Sequence, residues 1–343
     1  PRSANKRGAV ENKALVKFCA YLPLYRLSFL QGPCAEMAVY GFAAAAGSFS
    51  RFRGTVLLSR WTLPYSSLLA GARSLCTRSE TQLTVRHQQN GIRNIVLNNP
   101  KKRNALSLSM LTSLRSDILA DIDSDDLRVI IISAEGPVFS SGHDLKELTS
   151  AQGREHHSQV FQVCSEVMTL IQDIPVPVIA KVNGVATAAG CQLVASCDIA
   201  VATEKSTFAT PGVNVGLFCS TPAVAIGRAV PRKVAMEMLL TGAPISAHDA
   251  LLHGLVSRVV PEERLEAETM AIARRVCESS RPVVALGKAT FYRQMAQGRD
   301  AAYSTASGVM VDNLALRDGQ EGIRAFLEKR KPVWTNSTEK AHE

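Results

Sequence analysis

Residues 92–97 read Ile-Arg-Asn-Ile-Val-Leu, a run with apolar positions on both sides that predicts a strand, closed by the polar stretch NNPKKRNALS. A helix follows. Ser107 is placed to accept from its first free N–H groups, and Leu111, Leu114, Ile118 and Ile122 recur at three-to-four spacing on one face. Residues 129–132 are apolar without interruption, the mark of a strand buried on both faces. The segment GPVFSSGHDLKEL then turns into a helix near Asp144. A second amphipathic helix, with Val160, Cys164, Val167 and Ile171 inward, runs to about Ile174, where PVP stops it. Residues 178–182 predict a third strand, followed by the loop VNGVATAAGCQLVAS and a helix of small residues. Residues 198–202 return as a strand.

Strands alternating with helices predict an α/β core, to about residue 221. From Pro222 to about residue 334 helical patterns dominate, among them RKVAMEMLL, EERLEAETMAIARRVCESS and DGQEGIRAFLEKRK, and only residues 256–260 still read as a strand. No internal repeat is visible. Beyond Trp334 the tail is polar, which predicts disorder.

Charge changes this picture at one end only. The 343 residues carry a net charge of +9, and residues 1–79 alone hold eleven Lys/Arg against Glu11 and Glu36. The remainder, 80–343, is neutral, so the body has no basic bias that would argue for nucleic acid. Between Met37 and Ser79 there is no acid, while five arginines are scattered among Ser, Ala and Leu, the composition of a mitochondrial transit peptide. A leader over 1–79, a start at Met37, cleavage near residues 73–79 and a matrix location are the expectation. Arg51, Arg60 and Pro64 interrupt every apolar run before it reaches spanning length, so no membrane span is expected. The eight cysteines form no CxxC pair and the histidines show no ligand spacing, so neither a disulfide framework nor a metal site is expected.

Candidate chemistry sits in two loops of one design, SSGHD and TAAGC. Each follows a predicted buried strand and ends in small residues at a helix start, where unsatisfied N–H groups and the positive end of the dipole suit an anion. Side by side, two such loops would aim two N–H groups at one oxygen. The same small residues also permit close helix packing, and spacing alone does not separate the two readings.

At this point six blocks in order, NPKKRNALS, VFSSGHDLKEL, PVIAKVNGVATAAGCQLVASCDIAVA, STFATPGVNVG, AHDALLHGLVSRVV and GIRAFLEKRKPVW, make residues 90–334 resemble the crotonase (enoyl-CoA hydratase/isomerase) superfamily. The resemblance implies a spiral of ββα units with a helical C-terminal part that packs into homo-trimers, often paired as hexamers. It implies an acyl-CoA thioester as substrate or ligand and no separate cofactor. The thioester oxygen would be held by the backbone N–H groups of His143 and Ala189, and CoA by Lys101, Lys102, Arg103, Lys146, Phe326 and Lys329. Taken singly, each cation is an ordinary solvated charge and Phe326 an ordinary core residue; the matched motif is what groups them.

The departure is at the acids. Family hydratases carry one glutamate at the position of Gln192 and another at that of Gly212, and neither residue here can exchange a proton. Ordinary hydratase activity is therefore expected to be weak or absent, and replacing both positions by Glu is expected to raise it if the backbone is undistorted. Two alternatives stand beside this. One is base-free chemistry such as decarboxylation of a malonyl-type thioester, for which VFSSGHDLKEL and PGVNVG are similar to stretches of methylmalonyl-CoA decarboxylase. The other is a non-catalytic, CoA-binding regulatory subunit. Asp144 is expected to cap a helix, and Asn214, Cys219, Ser220 and Thr221 are placed to line the far side of the pocket.

Overall fold

The computed structural model describes residues 82–342; the expected leader, transit peptide and start site lie outside the described residues. The chain begins with an antiparallel pair, β1 (Thr84–Gln89) and β2 (Ile92–Leu97), followed by helix α1 (Leu108–Leu119). Strands β3 (Val129–Ala134) and β4 (Val138–Ser140) precede the long helix α2 (Gly153–Asp173). Next come β5 (Val178–Val182), β6 (Val185–Thr187) and α3 (Ala189–Ser196), then β7 (Ile199–Thr203), β8 (Thr207–Ala209), α4 (Ser220–Ala229) and α5 (Arg232–Thr241). The C-terminal part holds β9 (Ile245–Ser246), α6 (Ala247–Leu252), β10 (Arg258–Val260), α7 (Leu265–Cys277), α8 (Arg281–Met295), α9 (Arg299–Ala315) and α10 (Arg317–Leu327).

These strands form two sheets. One has the order β1-β2-β3-β5-β7-β10 and is parallel from β2 onward; the other has the order β4-β6-β8-β9. Each of the pairs β3–β4, β5–β6 and β7–β8 therefore contributes one strand to each sheet. The chain recurs in a ββα unit, as the family resemblance implies, although no repeat is visible in the sequence. The second sheet is what sequence periodicity missed: β4, β6 and β8 have three residues each, too few for an alternation to register.

Burial explains the continuous apolar text of the main sheet. Ile130, Ile132, Val178, Ala180 and Val182 face the larger core, shared with α1 and α2 through Leu111, Leu114, Val167 and Ile171. Their neighbours Val129, Ile131 and Ile179 face a second cluster closed by Leu265 and Ala273 of α7. Ser107 caps α1 through Met110 N at 3.2 Å, as its position predicts. In the C-terminal part, buried Lys288 clamps α8 to the body. Its Nζ donates to Asp198 at 2.8 Å and to the carbonyls of Ile171 and Val176 at 2.7 and 2.9 Å.

The polar tail departs from the expected disorder. Asp318 accepts from Thr335 N and Oγ1 and from Asn336 N at 2.7–3.0 Å, Arg317 N donates to Glu339 O, and Ala341 N to Ala315 O. Trp334 donates its indole N–H to Glu278 O at 2.7 Å and packs against Gly322. The segment is polar because hydrogen bonds hold it, not because it is free. No helix among the described residues is long and apolar enough to cross a membrane.

Candidate active site

The two loops singled out in the sequence leave adjacent strands. β4 and β6 pair in parallel in the second sheet, so both loops emerge at the same end. They follow these short strands directly, not the long buried strands of the main sheet. Gly142 has φ +85°, and a Cβ there would stand 2.9 Å from Ala188 Cβ and from Thr187 O, and 3.2 Å from Ala189 N. The position needs glycine for its dihedral and for its space. Gly190 serves the same contact from the other loop, since a Cβ on it would meet Ser140 O at 2.5 Å.

Between the glycines, Ala188 takes φ 50°, ψ −118° without being glycine. It is held there from both sides: its N–H donates to Ala209 O at 2.9 Å and its carbonyl accepts from Gln192 N at 3.0 Å. Such a backbone persists only where its surroundings over-determine it. The outcome is that His143 and Ala189 line a common cavity, and the N–H of neither has an acceptor among the described residues. Ala189 opens helix α3, so the dipole adds to its N–H. The other loop enters only a short 3-10 turn, Leu145–Leu148, capped by Asp144, which accepts from Lys146 N at 3.1 Å.

The cavity, about 500 Å³, is walled by Leu145, Leu148, Phe161, Pro211, Val215, Leu217 and Phe218, with Ser141, Asn214, Cys219, Ser220 and Thr221 as polar members. No carboxylate among the described residues lines it. The His143 ring is part of the wall: Nδ1 lies 3.2 Å from Leu106 O, and the ring stands edge-on to Phe161 with centroids 5.1 Å apart. A carbonyl only accepts, so Nδ1 carries the proton, and burial lowers the imidazole's pKa and keeps it neutral.

Beside the cavity, and sharing Ser141, His143 and Leu145 with it, runs a second hollow of about 320 Å³ lined by Lys102, Arg103 and Lys146. Three of the cations grouped by the sequence motif thus stand at the mouth of the apolar cavity. Lys102 also pairs with Asp144 at 3.3 Å. Lys101 shares the same 3-10 turn but does not line this hollow. Phe326 is 82% exposed on α10, Lys329 follows it in the left-handed region, and neither lines the cavity or the hollow.

The positions of the missing acids come out differently from one another. Gln192 is 4% exposed on α3, behind Ala189, and its Oε1 is buried with no hydrogen-bond partner among the described residues. Gly212 lies in the 3-10 turn Pro211–Val215, which folds back so that Leu217 N donates to Gly212 O at 2.9 Å. A Cβ at Gly212 would meet Leu217 O at 2.5 Å and Cys219 Sγ at 2.8 Å. A side chain here runs into the turn's own interior, so the condition attached to restoring the acids, an undistorted backbone, is not met.

Sequence reading missed Asn104. Fully buried with φ 50°, it accepts from Asn99 N and donates to Glu135 O and Val138 O, tying the basic turn to β4. Its only signal was an Asn in a turn, a residue that tolerates the left-handed region. Among the described residues no cluster of metal-ligating side chains occurs and the five cysteines are unpaired.

Residues 87–337 match the Enoyl-CoA hydratase/isomerase family. Enoyl-CoA hydratase domain-containing protein 3, mitochondrial, of Danio rerio is 74% identical over 262 residues, covering 76% of this chain and 91% of that protein. The Homo sapiens protein of the same name is 72% identical over 258 residues, covering 75% and 85%. Among solved structures, that of human enoyl Coenzyme A hydratase domain-containing protein 3 superimposes with a TM-score of 0.73 at 73% identity, covering 74% of this chain and all of the other. An enoyl-CoA hydratase of Mycobacterium smegmatis gives 0.72 at 45% identity, covering 74% and 98%.

Proposed function

The chain belongs to the enoyl-CoA hydratase/isomerase family, and we propose that it is a mitochondrial member that binds acyl-CoA thioesters and polarises their carbonyl without hydrating them. One observation carries the reading. His143 and Ala189, whose backbone N–H groups have no acceptor, line an apolar cavity with no carboxylate in its wall among the described residues, and beside it lies a hollow lined by Lys102, Arg103, Lys146 and Asp144.

A thioester oxygen placed between the two N–H groups satisfies both. Donors of this kind, fixed before the ligand arrives, are each worth about 3–4 kcal/mol to a developing oxyanion. Lys146, Arg103 and Lys102 suit the phosphates of CoA, and the apolar wall suits the acyl chain. Hydration needs more: one group to take a proton from water and one to protonate the α-carbon. Gln192 and Gly212 supply neither; His143, with Nδ1–H given to Leu106 O, keeps a lone pair on Nε2, which is buried without a partner among the described residues, but burial lowers its pKa and weakens it as a base, and no carboxylic acid lines the cavity beside it. A second reading, loss of CO₂ from a malonyl-type thioester, uses the same donors and needs no base, because the departing carboxylate leaves its electron pair on the enolate. Absence of CO₂ from malonyl- and methylmalonyl-CoA disposes of it.

The relatives named mitochondrial and the acid-free, arginine-bearing stretch 37–79 support a mitochondrial location, which we read as the matrix. The C-terminal helices leave Phe291, Met295, Tyr303, Met310 and Val311 exposed, a surface suited to the homo-trimer or hexamer implied by the family. In such an assembly Phe326 and Lys329, which do not line the cavity of their own chain, would act across an interface. Calorimetry with CoA and a saturated acyl-CoA tests the reading. Binding of both, with the acyl-CoA tighter, is expected, and no affinity for either would overturn it.

A further inference from the structure

The polar segment after α10 reaches the ends of all four C-terminal helices. Trp334 Nε1 donates to Glu278 O at the end of α7, at 2.7 Å, and Asn336 Oδ1 accepts from Arg281 N at the start of α8, at 3.0 Å. Ala341 N donates to Ala315 O, the last carbonyl of α9, at 2.8 Å, and Arg317 N, the first amide of α10, donates to Glu339 O at 3.0 Å. Neither Ser280 nor Leu316 caps its helix through a side chain, so the tail satisfies groups that the helix ends leave open. Two carboxylates one turn apart on α10 hold the tail in place. Glu321, 7% exposed, accepts from Val333 N and the Arg330 guanidinium, and Asp318, 1% exposed, accepts from Thr335 N and Oγ1 and from Asn336 N. Thr335 is itself exposed, and its hydroxyl, 2.8 Å from Asp318 Oδ1, is the one tail hydroxyl among the described residues that bonds to a helix. The guanidinium groups of the surrounding residues are already taken: Arg324 and Arg330 by Glu321, Arg281 by Ile122 O and Leu127 O, and Arg128 by Ser279 O.

We propose that the tail is a releasable clasp on the C-terminal helices and that Thr335 is its release point, a site of phosphorylation. A protein kinase transfers the γ-phosphoryl group of a nucleoside triphosphate: the Thr335 O–H bond breaks, the Oγ1–P bond forms, and the nucleoside diphosphate leaves with the electrons of the broken P–O bond. The hydroxyl proton goes to the kinase's base. The product carries close to two negative charges at neutral pH. It stands where the hydroxyl met Asp318, with Glu321 one turn away and each surrounding guanidinium engaged elsewhere. Both carboxylates are buried in α10, so the tail is the part that moves, and the caps on four helix ends are lost together. α8 and α9 carry the exposed face of Phe291, Met295, Tyr303, Met310 and Val311, so release loosens the surface on which copies of the chain meet. That last step rests on the reading that this face joins copies; the clasp itself does not.

Thr335→Glu in the full chain tests this, with Trp61→Phe so that Trp334 is the only indole. Trp334 emission should move to that of a solvent-exposed indole, and hydrogen exchange of the Arg281 and Arg317 amides should quicken at least about tenfold as each loses its partner. The dissociation constant of the assembly, measured by sedimentation, should rise at least about tenfold. Thr335→Gln, equal in size but uncharged, should leave all three close to the unaltered protein, which separates charge from bulk. Mass spectrometry of the chain recovered from mitochondria should find a fraction with one phosphate on Thr335. Unchanged emission, exchange and assembly in Thr335→Glu, equal effects of Gln and Glu, or no phosphate on Thr335 would each overturn the proposal. Faster exchange with assembly unchanged would overturn the link from clasp to assembly. A monomeric unaltered protein would instead remove the assembly reading beneath it.

Discussion

Two walls of the same cavity were built by opposite means. On one side, residues 140–143 and 188–192 are drawn together by Gly142 and Gly190, which let backbone meet backbone, and the chemistry offered is backbone N–H. On the other side, residues 210–219 close on themselves over Gly212, and no titratable side chain enters from that position. The contrast sets the two halves of the proposed site apart. Charge stabilisation resides in the strand pairing and survives with the architecture. Proton transfer would need titratable side chains, and here an amide stands at 192 and a glycine at 212.

The largest effect is expected on the first wall. Gly142→Ala places a Cβ at φ +85° and against Ala188, combining a left-handed penalty with overpacking, for a loss of roughly 3 kcal/mol or more. Chemical denaturation should show that loss, and the surviving folded protein should no longer bind acyl-CoA. Normal acyl-CoA affinity in this variant would separate binding from the paired loops.

On the second wall Gly212→Glu should destabilise by about 1–3 kcal/mol through contact with Leu217 O and Cys219 Sγ. Combined with Gln192→Glu, it should yield no hydratase activity. A gain would show that the turn opens more easily than its contacts imply.

Gln192→Glu alone sharpens the comparison through pH. A carboxyl group buried at this site, where the amide already lacks a partner, has its pKa raised in the folded state. The folded form then holds a proton that the unfolded form releases at about 4.3. The variant should match the unaltered protein below that pH and lose stability as pH rises toward its folded pKa, by about 1–3 kcal/mol at neutrality. Melting curves from pH 4 to 8 check this; a constant offset would mean that the group finds a partner.

How far this contrast was legible in the sequence depends on the length of the elements. β2 and β5 span the residues predicted for them, 92–97 and 178–182, and β3, buried from Val129 to Ser133, is where burial on both faces writes an unbroken apolar run over 129–132. β1 was missed because it is an edge strand whose residues after Thr84 and Val85 are exposed. The second sheet was missed because its strands are too short to carry a period, yet it is this sheet that sets the two loops side by side. His143, Ala189, Lys102, Arg103 and Lys146 were grouped through a motif, and the structure brings them together. Which way a side chain at 212 would point was not legible, since it depends on Leu217 and Cys219 folding back over it. The tail was misread because its order comes from Asp318, seventeen residues before Thr335.

The smallest effects belong to the cavity mouth. Removing the charge of Lys146 or Arg103 should weaken CoA binding several-fold each, about 1 kcal/mol or less, and the difference should shrink in high salt. Lys101→Ala should have less effect, as Lys101 stands outside the hollow. Equal losses for all three would move the phosphate site elsewhere.

The central claim, that the site holds a thioester it cannot hydrate, meets its most direct test in a single titration with crotonyl-CoA. Binding is followed by calorimetry and hydration by loss of the enoyl absorbance in the same samples. The account predicts saturable binding with hydration slower than an ordinary family hydratase by at least about 10⁴, since two acid–base groups worth about 10²–10⁴ each are missing. Hydration at a rate comparable to such an enzyme would contradict it, and would place an acid and a base in a cavity whose wall contains no carboxylate.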